Sequence, residues 1–218
     1  MITATQALKR LQTGNARFIE GLGNMDSSIR NIRREELVSG QKPIAIILGC
    51  SDSRVPVEIV FDQGLGELFV IRVAGNIAAP SQIGSVEFAV AEFGVRLVVV
   101  LGHSNCGAVC ATVDYLTASD KDDPSHNRNL FSIIDRVRPS VESVIDSAPN
   151  LKGHDLKEKA IRANIRNTVD HLRHGSPIIE SFIQDEGLVI LGAEYSLETG
   201  EVDFFEGMQA LPDSSGAP

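Results

Sequence analysis

Three apolar-rich runs, the first of them unbroken, set the terms for how this chain folds. They are Pro43 to Gly49 (PIAIILG), Glu67 to Val73 (ELFVIRV) and Arg96 to Gly102 (RLVVVLG). A strand with one wet face alternates apolar and polar residues, whereas a strand covered on both faces reads as a continuous apolar stretch. Between the second and third runs, Ile83, Val86, Phe88, Ala89 and Val90 recur at helical spacing within Ser81 to Phe93. A strand, helix, strand alternation implies parallel pairing through right-handed crossovers. The expected fold class is therefore α/β, a mainly parallel central sheet flanked by helices.

The remainder supports one domain spanning 1–218. Thr3-x-x-Gln6 has the form of a capping box, and Leu8, Leu11, Ala16, Phe18 and Ile19 give an amphipathic helix to about Glu20. With a short helix expected around Arg30 to Leu37, residues 1–35 read as an N-terminal helical arm. Helices are expected over 106–118, 129–147, 154–173 and Pro177 to Asp185. Strands return at Leu188 to Tyr195 and Val202 to Phe205, joined by a turn at Glu198-Thr199-Gly200. Residues 211–218 read as a loose tail.

Charge and cysteine content exclude several functions. The net charge of −9 argues against nucleic acid or an anionic membrane as partner. No basic segment followed by an apolar core opens the chain, and no apolar run spans a bilayer, so a cytoplasmic location is expected. Three cysteines, Cys50, Cys106 and Cys110, do not make a disulfide framework. Without a CxxC pair, thiol redox chemistry is disfavoured.

Two segments carry chemistry, each directly after an expected strand: Gly49-Cys50-Ser51-Asp52-Ser53-Arg54-Val55-Pro56 and Gly102-His103-Ser104-Asn105-Cys106-Gly107. In open parallel sheets, ligands bind at the carboxyl ends of strands near a switch in strand order. Two thiols, an imidazole and a carboxylate suffice for a tetrahedral zinc site and do not suit magnesium or calcium. A helix starting near Cys106 favours its thiolate. Singly, each residue has a plainer reading: a cysteine after a strand is ordinarily a small buried hydrophobe, and a histidine beside glycine a loop residue. Cys110, one turn beyond Cys106, is expected in the core. Arg54 can grip Asp52 through two parallel hydrogen bonds and so decide whether the carboxylate turns toward a metal or away.

Cys-Ser-Asp-Ser-Arg-Val at 50–55, paired with His-Ser-Asn-Cys-Gly at 103–107, resembles the double signature of the β-class carbonic anhydrases. The likeness runs over roughly 35–206 and includes GELFV at 66–70 and RVAGN at 72–76. The resemblance implies Zn2+ held by Cys50, His103 and Cys106, with water or Asp52 as fourth ligand. The activity it implies is interconversion of carbon dioxide and bicarbonate by a metal-bound hydroxide.

Members of that family rest either open, with the aspartate on its arginine, or closed, with the aspartate on zinc. Closed members often carry a bicarbonate-holding Trp, Arg and Tyr. Here Ile47 takes the Trp position, while Arg72 and Tyr195 match the others. Gln41 and Phe69 match cleft residues of open members, Phe88 stands where those have Tyr, and Gly107 completes the apolar slot for substrate. The resemblance therefore favours the open form. It also implies a homodimer or homotetramer whose N-terminal helix wraps the partner and whose Gln41 and Phe69 serve the neighbouring zinc. Two thiolates donate more charge than neutral imidazoles, so activity is expected to peak at mildly alkaline pH. The rival readings are a hydrolase of carbonyl sulfide or carbon disulfide on the same site, and a structural zinc protein with Asp52 as permanent fourth ligand. His126, His154, His171 and His174 receive no role.

Overall fold

The computed structural model describes residues 2–22, 37–118 and 128–211. One five-stranded sheet organises them: β1 (Ala45–Gly49), β2 (Leu68–Arg72), β3 (Leu97–His103), β4 (Val189–Tyr195) and β5 (Val202–Glu206). The order is β2-β1-β3-β4-β5, parallel except for β5, which returns antiparallel on β4.

Every residue of β1 and β3 is buried, which explains their unbroken apolar texture. Successive side chains still alternate between two cores. Ile46 and Leu48 join Val98 and Val100 on one face; Ile47 joins Val99 and Leu101 on the other. The first face is covered by α3 (Pro80–Phe93), α4 (Gly107–Thr117), α5 (Arg128–Ser147), α6 (Gly153–His174) and α7 (Pro177–Asp185). The second is covered by α1 (Ala4–Ile19) and the single-turn α2 (Val57–Val60).

The capping box forms as expected. Thr3 Oγ1 accepts from the Gln6 amide at 3.2 Å, and Gln6 Oε1 accepts from the Thr3 amide at 2.9 Å. Yet α1 is no detached arm. Ala7, Leu8 and Leu11 are buried against the sheet of their own chain. Gly14 brings the helix onto the Phe61 carbonyl so closely that a Cβ would overlap it. The buried Asn15 donates to the carbonyls of Val60 (3.1 Å) and Gly200 (2.9 Å) and accepts from the Val202 amide (3.0 Å). These bonds tie α1 to the far edge of the sheet.

The helix expected around Arg30 to Leu37 lies outside the described residues, except that Leu37–Ser39 form a 3-10 turn. Of the 211–218 tail, only Leu211 is described. Helix α2 was not foreseen, because Pro56 followed by four residues gives too short a pattern for periodicity to register. Among the described residues, no helix is long and apolar enough to cross a membrane.

Chain order creates the site. The chain leaves β1 for the edge strand β2, then crosses back to place β3 on the other side of β1. The connections after β1 and β3 therefore diverge, opening a crevice at their shared carboxyl edge.

Candidate active site

Cys50 follows β1 directly, and His103 is the last residue of β3. Cys106 caps the amino end of α4 through a turn in which Asn105 adopts a left-handed φ of 54°, a conformation asparagine tolerates. All three ligand-type side chains are buried, and their ligand atoms lie within 4.8 Å of one another. The two sulfurs are 4.0 Å apart.

The cluster fits a soft divalent cation. His103 Nδ1 lies 2.9 Å from the Ser104 carbonyl, so this nitrogen carries the proton and Nε2 keeps a free lone pair. Nε2 is fully buried and has no hydrogen-bond partner. A buried orphan acceptor is costly, and coordination would satisfy it. Two sulfurs and one imidazole nitrogen are a zinc-type donor set that leaves one tetrahedral position open.

The thiols are themselves perturbed. Donation by the Cys106 S–H, against the opposing effect of burial, pulls the Cys50 thiol down to about 4. The same bond, and then burial, push the Cys106 thiol up. Amides at the start of α4, those of Ala108 and Val109, act on Cys106 in the lowering direction. The bond between the sulfurs thus drives the two thiols apart in acidity, and a metal cation held here would displace their protons.

Asp52 and Arg54 form the expected pair. Arg54 Nε reaches Oδ1 at 2.9 Å and Nη2 reaches Oδ2 at 2.7 Å, while the Arg54 backbone amide adds a bond to Oδ1 at 3.0 Å. The guanidinium holds the carboxyl well below the usual carboxylate range. Asp52 Oδ2 nevertheless stays 3.9 Å from His103 Nε2, at the mouth of the cluster. Gly107, beside Cys106, has open space where a Cβ would sit.

Other expected residues lie elsewhere in the subunit. Phe69 pairs with Ile46 in register, four residues before Cys50 and so ~13 Å down the sheet. It belongs to a cluster with Phe88 and Phe93, with ring centroids 5.6 to 6.2 Å apart, at the β2 edge. Phe88 is 53% exposed there. Gln41 is exposed and precedes the amino end of β1, whereas Cys50 follows its carboxyl end. Cys110 is half-buried rather than fully in the core, and burial raises its thiol.

Arg72 and Gly75 support the site through partners that the sequence does not show. Arg72 spends its guanidinium on the Cys50 carbonyl (Nε, 2.9 Å) and the Asp52 carbonyl (Nη2, 2.6 Å), fixing the loop that carries both residues. Tyr195 is buried in the opposite core near Phe18, remote from that guanidinium's bonds. The Gly75 amide donates to Cys50 Sγ at 3.4 Å. The RVAGN run was visible in sequence, but nothing in its spacing said which amide faces a sulfur.

Comparison with known proteins places the chain in a family. The carbonic anhydrase family profile matches residues 45–202. Carbonic anhydrase 2 of Mycobacterium tuberculosis is 39% identical over 194 residues, covering 89% of each chain. The carbonic anhydrase of Mycolicibacterium smegmatis is 38% identical over 197 residues, covering 90% of this chain and 91% of that one. Among solved structures, the β-carbonic anhydrase CcaA superposes with a TM-score of 0.74 at 28% identity, covering 93% of this chain and 97% of that one. The chain belongs to the β-carbonic anhydrase family, enzymes whose general reaction is the reversible hydration of carbon dioxide.

Proposed function

We propose that the chain hydrates carbon dioxide with zinc held by Cys50, His103 and Cys106. The observation that carries this reading is the orphaned Nε2 of His103 turned toward two buried sulfurs. Zinc at such a site supplies Lewis acidity, which can lower the pKa of water from ~16 to about 7. The protein's part is positional. Nδ1–H of His103 on the Ser104 carbonyl fixes the ring and its tautomer. Asp52, clamped by Arg54, would be held back from a metal bound there and would offer Oδ2 as a hydrogen-bond acceptor to the reacting water. A structural zinc site would need Asp52 as its fourth ligand, and the two-pronged hold of Arg54 speaks against that.

Gln41, Phe69 and Phe88 are assigned to the substrate cleft across a homodimer, each subunit completing the site of the other. Phe88, exposed and backed by the partly buried Phe69 and Phe93, offers an apolar surface suited to such contact. The assembly is a dimer or a pair of dimers, and the location is cytoplasmic.

Metal analysis and stopped-flow hydration of carbon dioxide between pH 7 and 9 test the assignment. One zinc per chain and activity rising into mildly alkaline pH are expected, with both lost in Cys50→Ser and Cys106→Ser. Wild-type protein lacking stoichiometric zinc refutes the metal assignment. Sulfide release from carbonyl sulfide or carbon disulfide without hydration activity refutes the substrate.

A further inference from the structure

The turn after β2 is strained. Gly75 (φ 74°) and Asn76 (φ 44°) are both left-handed, and both are buried. Gly75 alone meets the steric demand cheaply; a Cβ there would need the unfavourable φ and would stand 3.2 Å from the Ala108 Cβ. The two polar ends of Gly75 face different ways. Its N–H points at Cys50 Sγ (3.4 Å), and its carbonyl accepts from Asn164 Nδ2 (2.8 Å). Asn164 sits on α6, 1% exposed, eighty-nine positions away in sequence.

Asn164 uses only half of its amide. Its Oδ1 is buried with no hydrogen-bond partner. A buried amide with an idle oxygen is costly, and an aliphatic side chain of similar volume would avoid that cost. What the residue delivers in return is one bond, to Gly75. That bond fixes the carbonyl end of Gly75 and, through the φ and ψ of that residue, limits how far its own N–H, on the adjoining peptide plane, can swing from the sulfur.

We propose that Asn164 is a positioning residue for the metal ligand Cys50, acting through Gly75, whose amide hydrogen bond steadies the sulfur and tempers its electron donation to the metal. The proposal rests on the zinc reading above. Outer partners of this kind orient first ligands and tune the metal they hold. A purely structural role would brace α6 against the turn and leave the sulfur's electronic state untouched, so the two roles separate by experiment.

The full-length protein is compared with Asn164→Ala, with the near-isosteric Asn164→Leu, and with Thr168→Ala as control. Thr168 is equally buried, one turn further along α6. The readouts are zinc affinity by competition with a chromophoric chelator, and the thiolate-to-cobalt charge-transfer absorption of the cobalt(II) protein. Expected for the Asn164 variants are a 10- to 100-fold higher zinc Kd and a charge-transfer band moved to longer wavelength, since a thiolate freed of its hydrogen bond gives up an electron more readily. Thr168→Ala moves neither. Folded Asn164 variants with wild-type Kd and an unmoved band overturn the proposal. Independently of any variant, wild type loaded with a spin-active cadmium isotope should show scalar coupling between cadmium and the Gly75 amide proton; no coupling also overturns it. Wild type that binds no metal overturns the zinc reading and this proposal together, whereas normal metal binding with unchanged variants overturns this proposal alone.

Discussion

Gly14→Ala sets two opposing effects against each other. Helix propensity favours alanine by about 1 kcal/mol in a helix interior. Packing opposes it, because Gly14 lies on the backbone of Phe61. A Cβ there would be 2.7 Å from the Phe61 carbonyl carbon, against an ordinary contact of 3.4–4 Å, and would overlap the carbonyl oxygen. The two backbones must part by on the order of 1 Å, which overpacking data place at about 1–3 kcal/mol. The parting also loosens the three Asn15 hydrogen bonds next door. Each is worth about 1 kcal/mol net, and we count two as lost. The net expectation is destabilisation by about 3 kcal/mol, which for a chain of this length lowers Tm by roughly 6–12 °C. The assay is thermal unfolding followed by circular dichroism, at fixed protein concentration and saturating zinc, with hydration activity measured at 25 °C. Because Gly14 is remote from the sulfurs, activity per bound zinc should match wild type. An unchanged or raised Tm would show that α1 does not seat on Phe61 as described, and the reasoning would fail.

Two further outcomes follow from the Asp52–Arg54 pair. Arg54→Leu frees the carboxylate to compete for the metal, and alkaline pH favours its displacement; hydration should fall at least tenfold at pH 7.5 and distinctly less at pH 9, and equal losses at both would refute the competition. The folded-state pKa of Asp52 is lowered, so its contribution to stability is fully present above the unfolded carboxyl value of ~3.9 and is lost as pH falls further. Asp52→Asn should therefore lower the urea midpoint most at pH 6, with the gap to wild type narrowing below about pH 4; a gap that widens on acidification contradicts the ion pair.

How legible the molecule was depended on how local each signal is. β1 and β3 could be read because burial on both faces leaves an unbroken apolar mark, and Cys50, Asp52, Arg54, His103 and Cys106 because each sits within a few residues of a strand end. The support beneath them was not readable. Asn164 is one polar residue within a 22-residue helix, and only the packing of α6 against the turn reveals what its amide touches. Arg72 was legible as a cation of interest, but its targets are two backbone carbonyls, which leave no trace in residue identity. Gln41, Phe69 and Phe88 could be named from resemblance, yet nothing inside one subunit brings them to the sulfurs.

Cys50 and Cys106 stand 56 positions apart and meet only because β1 and β3 lie side by side. An emerging or unfolded chain offers a cation just the His103-x-x-Cys106 half of the nest, a weak two-point hold. Tight uptake must await long-range strand pairing, the slower kind of folding event. Metal loading should thus lag behind sheet assembly and act as a late lock on a scaffold already built, rather than as the seed around which it condenses.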